Sequence, residues 1–176
     1  MARRVVTGRT ADGKSVFVED GEAPVKRLSS APDSAFHDVW GADGRYQLPS
    51  DGSRPATTTF FPPAAGFRYM ITVFQPDATP PPADLDLEAL MAEMATEFPG
   101  LADHMEPENP GMHTTQTVDI GIVLDGEVWL ELDDGAKRHL TQGDIVIQNG
   151  TRHAWRNTSD RPCSMAFVLI GADLTT

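Results

Sequence analysis

"GMHTTQTVDIGIVLDGE", residues Gly111 to Glu127, is the stretch whose reading decides the fold. Read as one continuous strand, it puts His113, Thr115, Thr117 and Asp119 on a single face, because side chains alternate with a period of two. Val118, Ile120, Ile122 and Leu124 then take the opposite face. Around Ile122 and Val123 both faces are apolar, as in a strand covered on each side. The segment "TTQTV" holds neither Gly nor Pro and is rich in β-branched Thr and Val, so it favours a strand over a bend. On a straight strand His113 and Asp119 would stand about 20 Å apart, at roughly 3.3 Å per residue. They can share a ligand only if the chain turns between them.

The rest of the carboxy-terminal half repeats the pattern. "TVDIGIVL", "EVWLELD", "KRHLT", "DIVIQ", "HAWRN" and "SMAFVLIG" are short apolar-polar runs. They are separated by Asp125-Gly126, Asp134-Gly135, Gly143-Asp144, Asn149-Gly150 and Arg161-Pro162. Evenly spaced strands with turn residues between them point to an antiparallel sandwich or barrel. Upstream, Arg3 to Asp20 reads as a hairpin or two edge strands. "FHDVWGADGRY" reads as a short strand ending at Gly41 or Gly44, Leu48 to Gly66 as loop, and Phe67 to Phe74 as a strand. One helix is expected over 84–98, capped by Asp84 or Asp86 and closed by Pro99-Gly100. Its Leu87, Leu90, Met91, Met94 and Phe98 form a stripe expected to pack on the body, with its acidic residues forming a solvated face.

The 176 residues suit one domain over 1–176. Residues 1–75 would supply strands that cover or extend the barrel, and 111–171 its core. A formal charge of −12 argues against nucleic acid and against an anionic membrane surface. No apolar run is long enough for a membrane-spanning helix, and the opening "MARRVVTGRT" lacks the apolar stretch of a signal peptide, so a cytoplasmic location is expected. The single Cys163 has no partner for an internal disulfide and no catalytic neighbours in sequence.

Two motifs give this half a resemblance to the cupin superfamily, small jelly-roll β-barrels. His113, Asp119 and Gly126 fit the first His, the acid and the closing Gly of the family's first motif. Thr115 stands where its second His belongs, and Asp119 where Glu is usual. Gly143, Gly150, His153 and Asn157 fit the second motif, with Gln148 nearest its expected Pro. The resemblance implies an all-β, antiparallel jelly-roll barrel with an amino-terminal β extension and one inserted helix. It also implies a homodimer and a divalent metal (Fe, Mn, Ni or Zn) held by His113, Asp119 and His153, or none if the altered first motif has lost it. Two His and one carboxylate are the set that non-haem iron chemistry uses.

The functions this implies are of two classes. One is an enzyme acting on a small organic acid or polyketide-like substrate as a dioxygenase, isomerase, dehydratase or lyase, with or without metal. In its metal-free form Asp119 or His153 would be the general acid or base, provided burial brings its pKa toward neutrality. The other is a binding module that holds a small ligand without turnover. Thr115, Thr117 and Trp155 are candidate substrate contacts, and Arg68, if it faces inward, would suit a substrate carboxylate. His37, His104 and His139 lie outside both motifs and read as surface or loop residues, His104 being also a candidate replacement ligand.

Overall fold

The computed structural model describes residues 2–175. Two sheets make the barrel. The larger runs in the order β3–β4–β5–β11–β6–β9, from strands Val25–Leu28 (β3), Ala31–Ala42 (β4), Phe67–Phe74 (β5), Cys163–Gly171 (β11), Thr117–Asp125 (β6) and Ile145–Asn149 (β9). The smaller runs β10–β7–β8, from Ala154–Arg156 (β10), Glu127–Glu131 (β7) and Lys137–Thr141 (β8). Every pairing is antiparallel. The tight turns carry residues in the left-handed region where the sequence places them, at Gly126, Asp134-Gly135, Gly143 and Gly150.

Alternation along β6 sorts its residues as the period of two requires. Thr117, Asp119 and Val123 are buried on the inner face, while Leu124 on the other is exposed. The β11 pairing aligns inner Leu169 with Asp119 and outer Val168 with Ile120. Met70, Val123, Met165, Phe167 and Leu169 from the large sheet meet Val128 of β7 in the core, with Leu140 and Trp155 packed against them. Gly121 faces the Phe167 ring so closely that a Cβ there would sit 3.1 Å from it. Cys163 is fully buried, and burial pushes its thiol up to about 11, so it packs as an inert hydrophobe.

The amino-terminal hairpin, Arg3–Arg9 (β1) and Ser15–Glu22 (β2), forms its own two-stranded sheet. It lies beside the outer face of β4 and β5, where Arg4 bonds the Val39 carbonyl and its guanidinium stands 5.6 Å from the Trp40 ring. The Leu48 to Gly66 stretch contains no strand or helix.

Three expectations change. The strand read in "FHDVWGADGRY" is part of a longer β4 that begins at Ala31, paired with an unexpected β3. The helix runs Leu87–Glu97 (α1), with Asp86 capping the Glu88 and Ala89 amides, but its stripe packs only in part: Leu90 and Met94 are half-buried, while Leu87 is 68% and Met91 57% exposed. Phe98, just past its end, is the buried anchor, and its acids are not simply solvated, since Glu93 accepts from Ser29 and Glu97 meets Lys26. The third change concerns "TTQTV". β6 begins only at Thr117, and the chain bends at Gln116. His113 leaves the β6 line to exchange both backbone hydrogen bonds with His153, each 2.9 Å, so it joins the strand that leads into β10. A long-range backbone pair overrides a local preference for extended chain.

Candidate active site

That bend creates the site. With His113 and His153 paired through their backbones, their imidazoles lie 4.2 Å apart between ring centroids. Each ring is fixed in the same way: His113 Nδ1 lies 3.0 Å from the Gly111 carbonyl oxygen, and His153 Nδ1 2.9 Å from that of Thr151. A carbonyl oxygen only accepts, so both Nδ1 atoms carry the proton and both Nε2 atoms present lone pairs. Neither Nε2 is hydrogen-bonded among the described residues. Burial and the neighbouring His113 ring push His153 down to about 4, and burial lowers His113 as well, so the pair is neutral at physiological pH.

The rings open onto a cavity of about 260 Å³ inside the barrel, which Asp119 also lines. Its walls are aromatic: Phe60, Phe61, Phe74, Trp155 and Phe167 surround the polar end, with Leu101 and Met105 from the segment preceding His113. Trp155 meets His153 edge-on at 5.7 Å and Phe167 at 5.4 Å. Phe61 packs against both His113 and His104, at 6.1 and 4.8 Å. Asp119 is 6% exposed, and its Oδ1 has no hydrogen-bond partner among the described residues. Burial among these apolar groups raises its carboxyl to about 6, against a smaller opposing effect of the Thr117 hydroxyl.

Gln148, directly opposite Asp119 in the β6–β9 register, has a buried Nε2 that also lacks a partner. A donor without an acceptor faces an acceptor without a donor across one pair of strands. The sequence marked Gln148 only as the residue near an expected Pro.

The other candidates fall elsewhere. Thr115 and Thr117 are buried and point into the sheet interior as expected, but their hydroxyls bond each other at 2.7 Å and neither lines the cavity. Arg68 does face inward, yet its five N–H groups are consumed by the carbonyls of Ala42, Thr59 and Phe67 and by the Asp43 carboxylate. Nothing remains to grip a substrate carboxylate, and Arg68 borders a different cavity. His37 is a buried strand residue rather than a surface one, with its Nδ1 unpartnered. His139 is exposed, stacked on Trp129 and 3.3 Å from Glu127.

The donor chemistry of His113, His153 and Asp119 suits a divalent cation, but its placement does not. No three His, Cys, Asp or Glu side chains among the described residues stand close enough together to hold a metal ion. The two imidazoles pair, but with Asp119 they do not form a three-residue ligand cluster among the described residues. No helix among the described residues is long and apolar enough to cross a membrane.

Comparison with known proteins agrees with this architecture. The family model for the cupin domain matches residues 103–170. Phomopsin biosynthesis cluster protein C' of Diaporthe leptostromiformis is 32% identical over 170 residues, covering 96% of this chain and 78% of that protein. The cupin-domain-containing oxidoreductase srdB of Neurospora crassa is 30% identical, covering 95% and 72%. Among solved structures, the cupin domain of Schizosaccharomyces pombe Cnp3 aligns with a TM-score of 0.49 at 7% identity, over 97% of this chain and 88% of that one. The similarity to srdB and to the phomopsin-cluster protein over nearly all of this chain, together with the two motifs on the barrel strands, places this chain in the cupin superfamily.

Proposed function

We propose that this protein is a biosynthetic enzyme that moves protons on a small, largely apolar organic molecule, without a metal, as an isomerase or dehydratase. The observation that carries the reading is the unpartnered Asp119 oxygen in an aromatic cavity shared with two imidazoles whose Nε2 atoms are free. The names of two relatives as biosynthesis-cluster proteins support the biosynthetic setting.

The chemistry is a bifunctional 1,3-proton shift. In the direction from enol to ketone, protonated Asp119 gives its proton to carbon while an imidazole Nε2 takes the proton from the enol oxygen. The C=C electron pair forms the new C–H bond, and the oxygen lone pair forms C=O. In reverse, the Asp119 carboxylate removes a proton from carbon while the small protonated fraction of an imidazole gives one to the carbonyl oxygen. A carboxyl near 6 is poised to work both ways at neutral pH. With a substrate filling the cavity, the aromatic walls strengthen each proton transfer by keeping water out.

Deuterium uptake at the benzylic carbon of 3,5-dihydroxyphenylacetone, followed by NMR in heavy water, tests this. Uptake above the buffer rate that falls by about a hundredfold or more in Asp119→Asn is expected, within the usual range for a general acid–base group. Uptake that is unchanged in the variant, or that requires added iron, manganese, nickel or zinc, would sink the reading. Binding without uptake would favour a ligand-holding module.

The partner in this proposal is a second copy of the chain. Ile145 and Ile147 of β9 align with Ile122 and Ile120 of β6, and these with Ala166 and Val168 of β11, on the outer face. Ile145 is 63% and Ile147 53% exposed, and the β1–β2 hairpin lies beside the β4–β5 end instead. On a chain of charge −12, this uncharged patch is where two copies can meet without opposing carboxylates. Sedimentation should show a dimer for the wild type and a monomer for Ile147→Lys; a monomeric wild type at micromolar concentration would overturn the pairing.

A further inference from the structure

We infer that the cavity takes an uncharged aromatic ring bearing at least two hydroxyl groups, held between phenyl walls by donating hydrogen bonds to His113 and His153. The inference names the substrate class for the proton-transfer reading of the same cavity, and rests on that placement of the site.

The polar end offers acceptors. Both Nδ1 atoms are spent on the carbonyls of Gly111 and Thr151, which leaves the Nε2 lone pairs of two rings whose centroids stand 4.2 Å apart. A ligand that fills the cavity displaces water from them and must supply donors, because a desolvated acceptor left unpaired is costly. Two neighbouring acceptors ask for two donors from one ligand.

The electrostatics set the ligand's charge. No Lys or Arg lines the cavity, and its one charged side chain is the acid Asp119. The arginines on adjoining strands are already engaged: Arg68 with Asp43 and three carbonyls, Arg156 with Glu131 and the Pro110 carbonyl, Arg152 with Glu106 and Asp133. A carboxylate would enter beside a like charge with no cation to meet it, so the organic acid suggested by the sequence is disfavoured. The shape sets the rest. A volume of about 260 Å³ bounded by Phe60, Phe61, Phe74, Trp155 and Phe167 suits one or two flat rings, which can meet these walls in offset or edge-to-face contact.

Calorimetric titration with three probes of similar size tests it: resorcinol, 1,3-dimethoxybenzene and benzoate, at about pH 8. Resorcinol should bind at least about tenfold more tightly than either of the others, a difference of about 1.4 kcal/mol, and the preference should vanish in His153→Leu. Equal binding of the dimethoxy compound would remove the role of the acceptors. Equal or tighter binding of benzoate would mean that the site recognises anions, and no binding of resorcinol at millimolar concentration would overturn the ligand class outright. If His153→Leu does not fold, the wild-type series decides alone. A resorcinol preference without deuterium uptake into 3,5-dihydroxyphenylacetone would retire the proton-transfer function and keep the ligand class; uptake with a benzoate preference would do the reverse.

Discussion

The inner and outer faces of the large sheet are built from the same strands, one residue out of step. Inside, Asp119, Met70, Phe167 and Leu169 are packed to a few per cent exposure around a cavity with polar groups at one end. Outside, Ile145, Ile147 and Ile170 are aliphatic and stand 43–63% exposed. The difference teaches that apolarity alone does not say which face is the core. The inner face mixes large aromatics with buried polar groups, while the outer face over β9, β6 and β11 is aliphatic at Ile145, Ile147 and Ile170. A slip of one residue in register would exchange the two, so the pairing of Leu169 with Asp119 and of Ile147 with Ile120 fixes both faces at once.

The sharpest way to break this comparison is to truncate a matched pair. Phe167→Ala removes a cavity wall that is also core, and should cost about 3–5 kcal/mol in denaturant unfolding. A loss below about 1 kcal/mol would mean that the inner face is not the packed one.

Next in size is a pH effect confined to the inner face. The Asp119 carboxyl rises from 3.8 to about 6 on folding, so the fold favours its protonated form. The stability this contributes is fully present below about pH 4 and is lost as pH rises through about 6. Asp119→Asn should therefore gain stability relative to wild type by about 2–3 kcal/mol between pH 4 and pH 8. His153 works in the opposite sense: lowered from 6.5 to about 4, it contributes stability above pH 6.5 that is lost as pH falls through about 4. The two slopes oppose each other in the wild type, and the Asn variant exposes the histidine's. Thermal melts across this range check it, and a variant curve parallel to the wild type would show that Asp119 is not desolvated.

The smallest effect belongs to the outer face. Within a monomer, Ile147→Lys should change unfolding free energy by no more than about 0.5 kcal/mol, as for an exposed site, measured by urea titration at low protein concentration. A larger loss would mean that Ile147 is already covered within one chain.

Much of the barrel was legible in the sequence. Each strand from β6 to β11 falls where apolar alternation and turn residues mark it, and β5 matches its expected limits, because these are local signals. The start of β4 was hidden by "APDS", which carries no strand preference, and β3 by its shortness. The helix shows why periodicity does not report packing: a stripe of Leu and Met requires an apolar surface opposite it, and none covers Leu87 or Met91.

The site was half legible. His113, Asp119, His153 and Trp155 do line one cavity. What sequence could not supply was every contact made at long range: the His113–His153 backbone pair that bends "TTQTV", the carbonyls of Ala42 and Thr59 that exhaust Arg68, and the Phe60 and Phe61 walls drawn from a stretch that reads only as loop. Gln148 had one faint signal, its place in the second motif, and only the register of β9 against β6 gives it meaning.

Gly121 gives this chamber an adjustable width. It lies against Phe167, where even one added methyl group would crowd the ring at 3.1 Å. Replacing it with alanine would nudge that aromatic wall inward by a few tenths of an ångström. Small replacements at this one position offer a dial for the size of guest the barrel admits, leaving His113, Asp119 and His153 in place.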